Sequence, residues 1–338
     1  MRCINKVRAL QPRIVAGLLS LIVSLSFCGC ARDPFSVQYG SLKIGAYDTD
    51  GSLAEKAPSF ASSLCIVTED VLGDGQINLN DCESAVLFDI NNREVVYSKN
   101  AHEKLYPASL TKIMTALVAI KHGTMDQVLT ATDAVNIKET GAQLAGIVAG
   151  DSMTLYQALR LLLMYSANDV ALLIAENIGG SVDGFVSIMN EEAIALGATN
   201  THFTNPHGLS NEEHYTTAYD LYLIFNECIK YDEFTEIIQL QSFDATYTDR
   251  KGKEVMLSVK NTNGYINGSY NPPTNVTVIG GKTGTTAAAG NCLIILSKDI
   301  NGMPFISVVL KAEGTEALYS DMNKLLDSID NSMSVDPE

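Results

Sequence analysis

A lysine follows a serine by three residues in the segment PASLTKIMT, residues 107–115. Residues i and i+3 share one face of a helix, so the Ser109 hydroxyl and the Lys112 amine can meet. The residues that follow, Ile113 to Ile120, are almost all apolar and predict a buried helix. Burial disfavours the ammonium form of a lysine, and a neutral amine can take the proton from a hydroxyl. The spacing therefore predicts a serine nucleophile, Ser109, and a lysine base, Lys112.

A second motif, Ser166-Ala167-Asn168, follows a helical pattern that begins near Thr154 and ends at Tyr165. By itself the motif is typical of a turn between two helices with a capping residue. It becomes informative because it lies between the serine–lysine pair and a third motif.

The third motif is GGKTGTT, residues 280–286, which follows an apolar segment with strand character. Glycines such as Gly284 allow another backbone to approach closely. Lys282 adds a cation, and Thr283 and Thr285 add hydroxyls, so the segment suits an extended substrate that ends in a carboxylate. The alternatives are a plain strand edge with a turn and a phosphate-binding loop, but the spacing GxxxxGK(S/T) of that loop is missing.

Strand patterns lie at both ends of the predicted domain, and helical patterns lie between them. SAVLFDI and REVVYS, joined at Asn91-Asn92, predict a β-hairpin over 84–98. Helices are expected from just after Pro107 to near Gly123, from Thr154 onwards with stops at the later glycines, and from about Thr315 onwards. This order predicts one sheet built from both chain ends with an inserted helical lobe. Further strands are expected at 276–284, 291–297 and 305–311.

The first 29 residues predict a secretory signal, because a basic region precedes the apolar segment Ile14 to Phe27. Gly29 before Cys30 resembles a bacterial lipobox, in which the cysteine is lipidated after cleavage, although Phe27 stands where leucine is usual. An ordinary cleaved signal and an uncleaved anchor are the alternatives. We expect an extracytoplasmic protein held at the outer face of the membrane by a lipid on Cys30, or secreted.

The expected organisation is a signal peptide at 1–29, a tether of low order at 30–82, a catalytic domain at 83–330 and a C-terminal tail at 331–338. The tether prediction rests on a composition rich in Ser, Ala, Gly and Asp without sustained periodicity.

The net charge of −16 argues against nucleic acid as a partner, because an acidic surface repels phosphates.

The segment Asp70 to Asp81 has partial calcium-loop spacing, but Leu72 cannot ligate a metal, so no metal site is expected. Cys65 and Cys82 could form a bridge or remain thiols.

The order SxxK, SxN, KTG resembles that of the penicillin-interacting serine enzymes. Longer segments closely resemble the low-molecular-mass penicillin-binding proteins that are D-alanyl-D-alanine carboxypeptidases, over about residues 83–330. The resemblance implies the β-lactamase/DD-peptidase fold, an α/β (α+β) architecture. In it a five-stranded antiparallel sheet with flanking helices carries an inserted helical lobe, and the active site lies between them. The matching segments are LYPASLTKIMTALVAI, LLLMYSANDVALLIAENIGGS, THFTNPHGL, HYTTAYDL and IGGKTGTTAAAGNCLI.

The resemblance also implies catalytic roles. Ser109 would be the acylated nucleophile, Lys112 its base, and Ser166 a proton relay. The backbone N–H groups of Ser109 and Thr285 would form the oxyanion hole. No cofactor is implied.

The same resemblance implies substrate-binding roles for the remaining motif residues. Asn168 would position the substrate amide and the lysine, and Lys282 would support the Ser166 hydroxyl electrostatically. Thr283 and Thr285, on either side of Gly284, would hold the terminal carboxylate.

The implied activity is that of a penicillin-sensitive serine DD-carboxypeptidase, which removes the terminal D-Ala from peptidoglycan pentapeptides during cell-wall maturation. A DD-endopeptidase that cleaves crosslinks uses the same residues and remains an alternative. A class A-like β-lactamase would need a glutamate that primes the deacylating water, and no ExxLN follows Asn168. A lipid-anchored wall-binding protein without activity is the non-enzymatic alternative, and the intact triple of motifs argues against it.

Overall fold

The computed structural model describes residues 61–72 and 77–329. The predicted signal peptide (1–29), the predicted lipid site at Cys30 and the predicted tail (331–338) lie outside the described residues. Most of the predicted tether lies outside them as well.

The described residues form nine strands in two antiparallel sheets. The strands are β1 (Ser84–Asp89), β2 (Glu94–Lys99), β3 (Val128–Thr130), β4 (Ser152–Thr154), β5 (Ser242–Thr248), β6 (Glu254–Lys260), β7 (Thr277–Thr286), β8 (Gly290–Lys298) and β9 (Pro304–Ala312). The main sheet has the order β2-β1-β9-β8-β7, so β1 pairs with β9 and the ends of the domain meet in mid-sheet. This confirms the predicted five-stranded antiparallel sheet and its hairpin.

The helices of the described residues lie mainly between β2 and β7 in the chain. They are α1 (Thr111–His122), α2 (Leu155–Arg160), α3 (Asn168–Gly179), α4 (Val182–Ala195), α5 (Ala218–Cys228), α6 (Asp232–Ile238), α7 (Gly264–Asn267) and α8 (Thr315–Asp327). The predicted helix ends near Gly123 and Gly179-Gly180 are confirmed.

The main sheet separates two apolar cores, because successive side chains of a strand point to opposite faces. Val86, Ile294 and Val308 belong to the larger core, which includes α1, α3 and α5. Leu87 and Ile295 belong to the second core, which α8 covers. The near-continuous apolar runs of β8 and β9 therefore reflect a sheet that is buried on both faces.

Helix α1 is buried along its length from Thr111 to Ala119. It contacts α3, α4 and α5, which explains why its sequence is apolar on every side. Lys112 is an exception inside this buried segment, and its contacts are described below.

The predicted helical lobe also contains a sheet, with strand order β3-β4-β5-β6. The prediction of helices alone was incomplete there. β3 and β4 have three residues each, too few to show an alternating pattern. β5 and β6 do alternate between exposed and less exposed side chains. They were not predicted, because they follow a segment of mixed character.

The described part of the predicted tether, 61–72 and 77–82, contacts the folded domain. Cys65 and Leu79 are buried in the larger and the second core respectively. Val71 forms a β-bridge with Ser98 of β2. The apolar residues of this segment stand in short runs, such as Leu64 to Val67, which are too short to show a periodic pattern.

The two cysteines of this segment, Cys65 and Cys82, are free thiols in separate cores, which favours the unbridged alternative. Burial raises the pKa of both thiols, to about 11 for Cys65 and about 12 for Cys82. Residues 73–76, within the calcium-like segment, lie outside the described residues.

Across the described ranges, no single helix is long and apolar enough to cross a membrane. Only α3 and α4 taken together would reach that length and composition, and they meet at 85°.

Candidate active site

Ser109 lies in a 3₁₀ turn, Ala108–Leu110, that continues directly into α1. Ala108 has a φ of 48°, in the left-handed region, which costs a residue with a side chain about 1–2 kcal/mol. Thr111 Oγ1 donates a hydrogen bond to Ala108 O at 2.8 Å. The serine is therefore presented by a strained turn that neighbouring contacts hold, an arrangement that is frequent at functional sites.

Three oxygen atoms surround the amine of Lys112, whose side chain is completely buried. Lys112 Nζ lies 2.8 Å from Ser109 Oγ, 2.6 Å from Asn168 Oδ1 and 2.7 Å from His207 O. Amide and carbonyl oxygens only accept hydrogen bonds. A neutral amine would donate its two hydrogens to Asn168 and His207 and leave its lone pair to the Ser109 hydroxyl.

The surroundings of Lys112 favour this neutral form. Burial lowers the pKa of Lys112 well below the usual lysine value, and the nearby Lys282 ammonium lowers it further. The Asp169 carboxylate raises it, but as a smaller effect. The predicted contact between Ser109 and a buried Lys112 is present, and its geometry suits transfer of the serine proton to the amine.

A second serine–lysine pair is formed by Ser166, which lines the same cleft, and Lys282. Ser166 follows a π-helical turn, Leu161–Tyr165, and has a φ of 66°. Lys282 of β7 donates to Ser166 Oγ at 3.0 Å and to Thr283 O at 2.8 Å. Lys282 is only 1% exposed, and burial lowers its pKa to about 7.

The depressed pKa of Lys282 predicts a pH dependence of stability. An unfolded lysine has a pKa of about 10.4, so between about pH 7 and 10 the unfolded chain binds more protons than the folded protein. Stability from this group therefore rises with pH across that window, by up to about 4 kcal/mol. Chemical unfolding of wild type and Lys282→Met should be measured between pH 7 and 10. We expect the free energy of unfolding of wild type to rise with pH relative to that of the variant. A constant difference across the window would contradict the prediction.

Strand β7 approaches the turn that holds Ser109 at Gly284. A Cβ on Gly284 would lie 2.9 Å from Ser109 N and 3.1 Å from Leu110 N, so only glycine permits this approach. Thr283 and Thr285 flank Gly284 in the strand. Thr283 Oγ1 lies 2.7 Å from Thr262 Oγ1, and Thr285 is exposed near the end of the strand. Thr262 was not predicted from the sequence, because a lone threonine outside any motif carries no signal.

The start of α3 anchors a loop, residues 141–147, on the other side of the cleft. Asn168 N donates to Gln143 O at 2.8 Å. The Asp169 carboxylate accepts hydrogen bonds from three backbone N–H groups of the loop, at 2.8–3.2 Å. Asp169 was also missed, although a buried acid at the start of an apolar helix is a detectable signal.

The segment 203–216 also supports α1, through backbone oxygens. Thr115 Oγ1 donates to Pro206 O at 2.6 Å, beside the contact between Lys112 and His207 O. Gly208 has a φ of 88°, and a Cβ there would lie 1.8 Å from Ala108 O. The Asn-Pro-His-Gly sequence thus brings backbone oxygens to α1, a role that residue types alone do not reveal.

The motifs meet in one cleft of about 590 Å³. The described residues that line it include no aspartate or glutamate. They also contain no group of three or more His, Cys, Asp or Glu side chains placed to hold a metal ion. Of the predicted catalytic and substrate-binding residues, Lys112 and Lys282 are not among those that line this cleft. The others line it: Ser109, Ser166, Asn168, Thr283, Gly284 and Thr285.

The family model for D-alanyl-D-alanine carboxypeptidase, peptidase S11, matches residues 76–314. The chain belongs to the D-alanyl-D-alanine carboxypeptidase family. This match confirms the family that the three motifs predicted, and the DD-peptidase fold with them.

Relatives of this family differ in their named activities. The D-alanyl-D-alanine carboxypeptidase DacF of Bacillus subtilis is 35% identical over 73% of this chain and 62% of the relative. A D-alanyl-D-alanine endopeptidase of Pseudomonas aeruginosa is 32% identical over 72% of this chain and 75% of the relative. The crystal structure of the Streptomyces K15 DD-transpeptidase superposes with a TM-score of 0.69 at 27% identity, covering 75% of this chain and 98% of that one. The chain thus spans less than two thirds of the DacF relative.

Proposed function

We propose that the protein is a penicillin-sensitive serine DD-carboxypeptidase that removes the terminal D-Ala from peptidoglycan pentapeptides. The observation that carries this proposal is the set of contacts around Lys112 Nζ, in which two pure acceptors leave the lone pair for Ser109. The membership of the family supports the substrate class.

In the acylation step, Ser109 Oγ attacks the carbonyl carbon of the penultimate D-Ala, and its proton passes to Lys112 Nζ. Backbone N–H groups of Ser109 and Thr285 stabilise the oxyanion, which the close approach of β7 at Gly284 favours. The C–N bond then breaks, and the leaving amine of the terminal D-Ala receives a proton through Ser166. Lys282, 3.0 Å from Ser166 Oγ, stabilises that relay electrostatically.

In the deacylation step, water attacks the acyl-enzyme, its proton passes to Lys112, and the Ser109 hydroxyl is restored. The absence of a carboxylate among the described cleft-lining residues supports slow release of a penicilloyl group, unlike a class A β-lactamase. A β-lactam would therefore act as an inhibitor that remains on Ser109.

The substrate's terminal carboxylate would be held by the hydroxyls of Thr283 and Thr285, with Asn168 positioning the substrate amide. A DD-endopeptidase is the second candidate, because the relative from Pseudomonas aeruginosa bears that name. The match to this relative covers 75% of the relative's length. The same acylation step would release a crosslinked amine instead of D-Ala.

The remaining proposals concern the chain outside this site. We retain the lipoprotein-type signal at 1–29, the lipid on Cys30 and an extracytoplasmic location at the membrane. These rest on the sequence pattern alone. The proposed catalytic domain, 83–330, contains most of the family match at 76–314.

The test is release of D-Ala from a purified pentapeptide muropeptide by the full-length protein, followed by mass spectrometry. Loss of one alanine, blocked by penicillin and absent in Ser109→Ala, is the expected result. Cleavage of a crosslinked dimer without loss of alanine from the pentapeptide would favour the endopeptidase. Release of D-Ala at the wild-type rate by Ser109→Ala would overturn the proposal.

The close approach of β7 predicts the effect of Gly284→Ala. The added Cβ would press on the backbone of Ser109 and Leu110 and displace the turn from the oxyanion site. We expect the rate of acylation by a fluorescent penicillin to fall about tenfold to a hundredfold. Gly314→Ala is the matched control, since nothing lies within 4 Å of a Cβ at Gly314. Equal rates for the two variants would contradict the prediction.

A further inference from the structure

The turn that presents Ser109 is connected to a buried histidine by consecutive hydrogen bonds. His214 is 1% exposed, and its Nε2 lies 2.8 Å from Thr111 Oγ1. Thr111 Oγ1 in turn donates to Ala108 O at 2.8 Å. Ala108 is the left-handed residue directly before Ser109. The mechanism described above makes no use of His214.

The tautomer of His214 follows from its other nitrogen. The backbone N–H of Thr204 donates to His214 Nδ1 at 3.0 Å, so Nδ1 is an acceptor and carries no hydrogen. The ring hydrogen is therefore on Nε2, which faces Thr111. Burial lowers the pKa of His214 to about 4, so the ring is neutral at ordinary pH.

This tautomer fixes the direction of the Thr111 hydroxyl. A threonine hydroxyl has one hydrogen to donate and lone pairs to accept with. Because His214 Nε2–H donates to Thr111 Oγ1, the hydroxyl hydrogen is left for Ala108 O. The opposite tautomer would draw that hydrogen to the histidine, and the Ala108 carbonyl would lose this support.

We propose that His214 is a positioning residue for acylation, which acts through Thr111 to hold the left-handed turn at Ala108 that aims Ser109. The proposal rests on the proposed function, since it assigns a role in the acylation of Ser109. Gly208 limits the turn as well, because a Cβ there would lie 1.8 Å from Ala108 O and 2.8 Å from Thr111 Oγ1.

The test measures acylation of the full-length protein by a fluorescent penicillin, with the maximal acylation rate and the preceding binding constant determined separately. His214→Leu and Thr111→Val each remove one member of the connection, and His214→Gln keeps an amide donor near the position of Nε2. We expect both removals to lower the maximal rate about tenfold to a hundredfold with little change in binding, and His214→Gln to recover most of the loss. His122→Gln, on the exposed end of α1, is the matched control and should acylate as wild type does.

The double variant separates positioning from general support of the fold. If His214 acts through Thr111, the variant carrying both Thr111→Val and His214→Leu is no slower than Thr111→Val alone. A double variant slowed by the product of the two single effects would overturn the proposal, as would a wild-type rate in either single variant. If His214→Leu fails to fold, the acylation rates of Thr111→Val and His214→Gln decide. A slow Thr111→Val together with a near-wild-type rate in His214→Gln supports the proposal. Any other pattern overturns it. Lack of acylation in the unmodified protein would refute the proposed function, and this inference with it.

Discussion

Replacement of Lys112 by methionine is expected to slow acylation of Ser109 by penicillin about 10²–10⁴-fold, the usual contribution of a general base. The hydroxyl of Ser109 would lose the only amine within hydrogen-bonding distance among the described residues. In wild type, acylation should also fall as pH drops through the depressed pKa of Lys112, because an ammonium has no lone pair for the serine proton. Stopped-flow acylation of full-length protein, from pH 5 to 9, measures both effects.

Two further variants distinguish a base from a mere positive charge. Lys112→Arg keeps a cation that does not deprotonate in proteins, so it should be as slow as Lys112→Met. Lys121→Met is the matched control, because Lys121 lies on the same helix and pairs with Glu192 away from the cleft. Substantial activity in Lys112→Arg would show that charge is sufficient and would contradict the assignment of Lys112 as base.

Replacement of Ser166 by alanine is expected to slow both acylation by penicillin and release of D-Ala about 10²–10⁴-fold, as for other proton-transfer groups. The change removes the hydroxyl that accepts a hydrogen bond from Lys282 and leaves that buried amine with one protein acceptor, Thr283 O, among the described residues. Steady-state release of D-Ala and single-turnover acylation together measure the loss.

The control for this variant is Ser187→Ala, since Ser187 is exposed on α4 and its hydroxyl donates a hydrogen bond to Asp183 O of the same helix. Ser166→Cys keeps a proton-bearing group of similar size and should recover part of the rate. If Ser166→Ala released D-Ala at a rate within threefold of wild type, Ser166 would have no part in the mechanism. A threefold change in rate corresponds to about 0.65 kcal/mol of activation free energy.

The three motifs were predictable because each is local in sequence and because they follow one another in a specific order. The separation of three residues between Ser109 and Lys112 was enough to predict their contact, and the apolar segment was enough to predict burial of the lysine. The order of strands and helices likewise predicted that β1 and the C-terminal strands share one sheet.

Other parts of the site depend on contacts between distant segments, and no local pattern encodes them. His207 contributes a backbone oxygen to Lys112 across 95 residues, so its side chain gave no signal. His214 acts on α1 across 103 residues from Thr111. The short strands β3 and β4 form a sheet only because their tertiary neighbours pair with them, which local propensity does not determine.

The assignment of Ser109 as the nucleophile is tested by locating the covalent adduct. Full-length protein is incubated with benzylpenicillin, digested, and the modified peptide is sequenced by tandem mass spectrometry. We expect a single stable penicilloyl group on Ser109 in wild type, strongly reduced labelling in Lys112→Met, and none in Ser109→Ala. An adduct on another residue, or labelling of Ser109→Ala at the wild-type rate, would contradict the assignment of Ser109 as the nucleophile.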